Sequence, residues 1–431
     1  MRTPSKFLLC VALSTFACSA GGGSGGGGDS SGGGNATFPL DIADDGQHLE
    51  GGNGESFLMT GDAAWSLMVA LDETETEAYL EDRRQRGFNT ILVNLIERGA
   101  GGPANANGDA PFTTPNDFTT PNEAYFQHAD FVIDRAAAKG MLVLLAPAYL
   151  GEDCGDDGWC QQMLAQGVSA MATYGRFLGD RYRDRTNILW VHGGDARASD
   201  HGVSSRVNAI ANAIVDTAPA HLHTAHCSRD DAAIDCYDQP WLDLNTVHSR
   251  CDDLPGAARE AHAHRPREVF FHIEGRYEND GANMDCLVGQ YALSVLIGGA
   301  GHVFGNTPLW FFGADWEDEL DSPGSVAIAN LDDLFRSRAW WKLEPDRHVI
   351  VNGGNDQTAA AMTRDNQTIM IYTDSPRTLR VDVSDLNNLH AHATFFDPTD
   401  GSSIDLGTTL AIFEEDYEVP GRGMLVIDAV L

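Results

Sequence analysis

Short apolar runs recur along the chain from about residue 55 to about residue 340, separated by longer stretches with helical spacing and helix start and stop residues. The strand-like runs lie at 57–61, 88–94, 141–146, 188–191, 221–226, 244–248, 268–274 and 301–305. Between them, 73–86, 123–139, 161–183, 204–216 and 284–297 read as helices, and a helix through Ala339 to Lys342 closes the series. Eight strand and helix units in succession predict a (β/α)8 TIM barrel, an α/β fold with a parallel sheet. After Pro345 the rhythm changes to short alternating runs at 358–362, 368–372, 379–383, 392–396 and 424–427, with a clear turn at Asp397-Pro-Thr-Asp-Gly401. The expected organisation is a barrel over 38–345 followed by a small antiparallel β-sandwich domain over 346–431. Trp340, Trp341 and Leu343 stand at the junction in place of a Gly/Ser linker, which predicts a buried interface between the two parts.

The first residues do not belong to this pattern. Arg2 and Lys6 followed by an apolar run over 7–16 and small residues at 17–20 read as an export signal, too short to span a bilayer. Cys18 before a glycine tract resembles a bacterial lipoprotein site; cleavage after Ala20 is the alternative. The Gly/Ser-rich stretch 21–37 would be a flexible tether to a possible lipid anchor in an outer membrane. Either route makes the protein secreted or surface-bound, and Cys154, Cys160, Cys227, Cys236, Cys251 and Cys286 are then expected to form disulfides. Proximity suggests 154 with 160, 227 with 236 and 251 with 286, although six cysteines allow fifteen pairings.

A formal charge of −35 excludes nucleic acid and anionic membrane as natural partners and favours a neutral substrate. HExxH, GxSxG, GxxxxGK and dinucleotide fingerprints are all missing, so no cofactor and no metal is expected. The chemistry rests on carboxylates. Ile188-Leu-Trp-Val-His-Gly-Gly-Asp195 ends an apolar strand on two glycines and an acid, and the run to Glu274-Gly275 repeats the design. Strand C-terminal ends line the mouth of a barrel, and two facing acids there suffice to hydrolyse a glycosidic bond. Glu278, four residues further on, competes with Glu274. Asp62 after the first strand is a sugar-hydroxyl contact or a helix N-cap. Asn94, His192 and His248 are polar candidates at strand ends, His248 being equally readable as a core histidine. Trp65 and Trp310 are candidates for stacking on sugar faces or for the core.

Phe57 to Trp65, Tyr79 to Arg83 with Arg86-Gly-Phe-Asn89, Ile188 to Asp195, Glu274 to Glu278 and Ala300 to Gly305 together resemble the apiosidase-like family of barrel glycoside hydrolases, whose members are often labelled collagenases. The tail with Phe395-Phe-Asp-Pro398 resembles the β domain that follows such barrels and is named after collagen binding. The resemblance implies Asp195 as acid/base, Glu274 as nucleophile, and a retaining mechanism on a plant or algal type polysaccharide or oligosaccharide. Two departures stand out: Glu274-Gly-Arg where Gly-Glu-Pro is usual, which bears on substrate identity, and a tail without the usual Asp-Trp. The reading from another class is a non-catalytic carbohydrate- or matrix-binding surface protein on the same scaffold.

Overall fold

The structure is a computed structural model that describes residues 37–264, 269–346 and 348–430. The expected leader, Cys18, the tether up to residue 36 and Glu268 lie outside the described residues. Eight parallel strands stand where the apolar runs predict them: β1 (Met59–Ala63), β2 (Thr90–Asn94), β3 (Leu142–Ala146), β4 (Ile188–Gly193), β5 (Leu222–His226), β6 (Asn245–His248), β7 (Phe270–Ile273) and β8 (Gly301–Phe304). They pair in the order β5-β4-β3-β2-β1-β8-β7-β6. The seam between β5 and β6 carries no strand ladder; backbone bonds from Asp243 N–H and Leu244 N–H to the His223 carbonyl, at 2.9 and 3.3 Å, close it together with side chains. Thr224 Oγ1 donates to the Leu244 carbonyl at 2.8 Å, Thr246 Oγ1 donates to the Ala225 carbonyl, and Asp243 Oδ2 accepts the His223 N–H at 2.8 Å.

Side-chain alternation along the strands sorts the core into two layers. Leu92, Leu144, Leu189, Val191 and Val303 fill the barrel interior. Their neighbours Ile91, Val93, Val143, Leu145, Ile188 and Trp190 face the helices. The polar positions obey the same parity, so Asn94, His226 and His248 project to the inside of the mouth, whereas Asp62, His192, His223, His272 and His302 sit in the layer beneath the helices. In that layer the histidines pair through one nitrogen each: His192 Nε2 lies 2.9 Å from His223 Nδ1, and His272 Nδ1 lies 3.0 Å from His302 Nδ1. Burial lowers all four, His192 and His272 to about 3, and His221 beneath Trp190 to about 4.

The helices that matter below are α1 (Glu73–Gln85), α2 (Met284–Leu296) and α3 (Pro323–Arg336). Asp72 starts α1 through a capping box with Glu75, so Asp62 is no helix cap. Two helical expectations need correction. The stretch 161–183 breaks at Gly167 into Cys160–Gln166 and Val168–Tyr182, because Gly167 takes a φ of +84°. The closing helix is α3, and Trp340–Lys342 forms only one 3-10 turn after it.

The C-terminal region contains β9 (Leu343–Pro345), β10 (Ile350–Asn352), β11 (Ala359–Thr363), β12 (Thr368–Thr373), β13 (Arg377–Asp382), β14 (His390–Asp397), β15 (Ser402–Leu410), β16 (Glu414–Val419) and β17 (Gly423–Val430). One sheet has the order β9-β11-β12-β17-β14-β15 and the other β10-β13-β16. β15 and β16 escape the hydrophobic pattern because their residues are mostly exposed. Ile369, Ile371, Leu425 and Ile427 point between the two sheets. Met370, Tyr372, Met424 and Val426, on the opposite face, join Trp340, Leu343 and the apolar faces of α2 and α3 in one continuous core. Tyr372 also donates to the Asp285 carbonyl at 3.1 Å, and Arg338 pairs with Asp428 at 2.9 Å. The six cysteines pair as proximity suggests, Cys154 with Cys160, Cys227 with Cys236 and Cys251 with Cys286.

Residues 346–431 expressed alone would expose the Met370, Tyr372, Met424 and Val426 face and should aggregate or melt without cooperativity; a monomeric fragment with a sharp transition would refute the shared core. A second expectation concerns acid. The buried histidines are neutral when folded and titrate near 6.5 when unfolded, so the unfolded chain binds protons first and stability falls as pH drops below about 6.5. Between pH 7 and pH 5 each such histidine should remove about 2 kcal/mol. Urea midpoints across that range report the slope, and replacing His192 and His223 together by apolar residues should flatten it.

Candidate active site

A cavity of about 490 Å³ opens at the C-terminal ends of the strands. Its lining includes both acids singled out in the sequence, Asp195 and Glu274, together with Trp65, Asn94, His248 and Trp310.

The Asp195 segment leaves β4 through a backbone bend that only glycine fits. Gly193 has a φ of +87°, and a Cβ there would come within 2.5 Å of the His226 carbonyl. Gly194 N–H then donates to that carbonyl at 3.1 Å, and the Asp195 carbonyl accepts from Asp153 N–H at 2.9 Å. The Asp195 side chain keeps 20% of its surface and lies 3.7 Å from His248 Nδ1.

Glu274, one residue beyond β7, is buried, its side chain only 4% exposed. Trp65 Nε1 donates to Glu274 Oε1 at 2.6 Å, Tyr277 also faces the carboxyl, and among the described residues Oε2 is buried without a well-formed hydrogen bond. Gln290 on α2 fixes the turn that follows: its Oε1 accepts from Gly275 N–H at 3.1 Å and Arg276 N–H at 2.9 Å. Burial pushes the Glu274 carboxyl up to about 8, against the pull of Tyr277 and Trp65 toward the ionised form, and the negative charge of Asp195 adds to the rise. His226 stands beside it, with Nε2 3.9 Å from Glu274 Oε1. Burial and the neighbouring His248 lower His226 to about 3.

A third buried acid shares the cavity. Glu97 accepts from Asn94 Nδ2 at 2.8 Å, Ser66 Oγ at 3.3 Å, and the backbone N–H groups of Arg98 and Gly99. Burial raises it to about 7 despite those donors. Glu152, Asp157 and Asp280 also line the cavity, with Arg229. On one wall Trp310 stacks between Tyr277, at 5.4 Å, and the exposed Phe311, at 4.2 Å. Gly99 and Ala100 bring in the long loop after β2, which Phe112 and Phe118 anchor against Trp159 and Tyr174.

Three expected site residues lie elsewhere. Asp62 faces the helices, where Tyr79 donates to it at 2.7 Å and Arg83 pairs with it at 3.4 Å, so it braces α1 against the barrel. His192 is paired with His223 under Trp241, on the helix side of β4. Glu278 accepts from Ser322 Oγ at 2.6 Å and Gly324 N–H at 2.9 Å, holding the start of α3 and leaving Glu274 without a rival in the cavity. Trp65 reaches the cavity as a hydrogen-bond donor to Glu274, its ring edge against His226. The sequence reading missed His226, Glu97, Tyr277 and Gln290. His226 ends β5 just as His248 ends β6, and that parallel was the available signal; nothing local marks Gln290.

Barrel, β module and cavity together define the class: this is the fold of glycoside hydrolases. A glycoside hydrolase of family 5 from Bacteroides vulgatus has a TM-score of 0.81 over 91% of this chain and 95% of its own, at 22% identity. A second structure named as a glycoside hydrolase has a TM-score of 0.80 over 91% and 98%, also at 22%. Residues 43–342 match the family described as "Apiosidase-like, catalytic domain", and the chain belongs to that family. Residues 345–431 match the "Putative collagen-binding domain of a collagenase". No curated protein sequence matches the chain.

Trp65→Phe removes a donor that favours ionised Glu274 and should therefore move its titration to higher pH by about one unit. A carbon-13 NMR titration of labelled glutamate carboxyls checks the shift; an unmoved Glu274 would mean that the indole does not hold it.

Proposed function

We propose that the chain is a retaining glycoside hydrolase acting on a plant or algal type poly- or oligosaccharide, with Glu274 as nucleophile and Asp195 as acid/base. The observation that carries this reading is the unequal placement of the two acids in one cavity. Glu274 is buried in the cavity and oriented by the Trp65 indole N–H and by Tyr277, donors that support the ionised form an attacking carboxylate needs. Asp195 keeps contact with solvent, as a group must that gives up a proton in one half of the reaction and takes one in the other. His226 stands against Glu274 and close to Asp195, so the two acids flank one imidazole in the cavity.

The lining supports a neutral sugar, since acids far outnumber the single Arg229 and would repel a uronate. Trp310 and Phe311 offer the apolar wall on which a pyranose or furanose face can lie. Membership of the apiosidase-like family and the folds of the glycoside hydrolases point the same way. In this reading the protein works outside the cytoplasm, lipidated at Cys18 or freed after Ala20, and its three disulfides suit that compartment.

The elevated carboxyl of Glu274 favours one competing assignment, in which Glu274 is the proton donor and Asp195 attacks. The sign of the pH profile separates them. Glu274 as nucleophile must lose its proton, so kcat/KM rises with pH through about 8; Glu274 as donor must keep it, so kcat/KM falls there. Mutants give the independent check. Glu274→Ala should abolish turnover of every substrate, while Asp195→Ala should retain far more activity on activated aryl glycosides than on natural linkages. Azide should rescue Asp195→Ala with a product of retained configuration and Glu274→Ala with an inverted one. The opposite pattern exchanges the roles, and two inert-to-substrate acids with normal sugar binding would make the barrel a binding protein.

A further inference from the structure

Asp195, His226 and His248 come from the ends of β4, β5 and β6, three neighbouring strands around the cavity floor. Each presents one potential ligand atom, and these atoms all lie within 4.8 Å of one another. Among the described residues neither ring nitrogen of His226 makes a hydrogen bond of good geometry, although the residue is only 3% exposed. A buried imidazole left in this state costs free energy unless something in the cavity engages it. His248 turns Nδ1 toward both the Cys227 carbonyl, at 3.0 Å, and Asp195 Oδ1, at 3.7 Å, so an ion held between Asp195 and His248 would take the Nδ1 lone pair and displace the Cys227 contact.

We infer that Asp195, His226 and His248 form a binding site for one borderline divalent transition-metal ion, with Zn²⁺ as the reference ion. Two imidazoles and one carboxylate suit Zn²⁺, Co²⁺, Ni²⁺ or Cu²⁺ and disfavour Mg²⁺ and Ca²⁺, which prefer oxygen. Water completes the coordination. No motif announces the site, because its ligands lie 31 and 22 residues apart and converge only when the strands close. Binding of the ion does not depend on the hydrolytic reading. Its consequence does: a metal-bound Asp195 carboxylate cannot carry a proton, so the ion is a reversible inhibitor of the proposed glycosidase.

The test uses tag-free full-length mature protein, stripped with EDTA, desalted, and kept without thiol reductant so that the disulfides remain closed. Titration calorimetry with ZnCl₂ at pH 7.5 should show one ion per chain with a dissociation constant of about 1 μM or lower. Co²⁺ should give visible absorption bands that Zn²⁺ abolishes. His226→Gln and Asp195→Asn should each weaken binding by at least about tenfold. His201→Gln, at the surface pair with Asp153, should leave it unchanged. Asp195→Asn guards against a folding defect in the buried histidine variant, because Asp195 is partly exposed. Absent stoichiometric Zn²⁺ binding, or binding that survives both variants, overturns the site and leaves His226 as a sugar contact. Turnover is followed separately: metal-free enzyme inert toward every glycoside, yet still binding Zn²⁺, would remove the hydrolytic reading and leave the metal site standing.

Discussion

A closed parallel barrel gives each strand residue one of two destinations, inside or beneath the helices, and this single constraint arranges nearly everything at the site. On β2 it sends Asn94 to the cavity with Leu92 below it. On β1 and β4 it sends Asp62 and His192 the other way, into ion pairs and histidine pairs that hold helices in place. The two acids escape the rule because they lie past the strand ends, where glycine turns and the Gln290 clasp decide direction.

Much of this was legible in the residues. Strand positions followed from apolar runs bounded by glycine and polar signals, since fully buried parallel strands read as continuous hydrophobic stretches. The acids at 195 and 274 were legible for the same reason: a carboxylate directly after such a run and beside glycine stands at the barrel mouth. The errors at Asp62 and His192 came from treating every polar residue near a strand end as equal. Counting by twos from Leu189 and Val191 already places His192 on the wrong face, so that mistake was avoidable. The role of Glu278 was not avoidable, because its partners Ser322 and Gly324 lie more than forty residues away. The same holds for Gln290 and for the convergence of His226 with His248 across the seam.

Electrostatically the cavity is an unusual place to gather charge in an already acidic chain. Asp195, Glu274 and Glu97 share one enclosed space with a single arginine in the lining. Burial holds Glu274 near 8 and Glu97 near 7, so like-charge repulsion is relieved by protons rather than by counter-ions. The indole of Trp65 is well matched to this state, because an indole N–H can only donate and so always meets an oxygen able to accept.

The position of α2 has an evolutionary reading. Gln290 on this helix grips the turn that carries Glu274, and the adjacent Gly289 packs tightly under the Tyr372 hydroxyl, which a Cβ there would approach to 3.1 Å. Two neighbouring residues therefore connect the Glu274 carboxyl on one side to the C-terminal sandwich on the other. A lineage that recombined this sandwich with a different barrel would disturb the chemistry as well as the solubility, so the two parts are expected to descend together as one inherited unit.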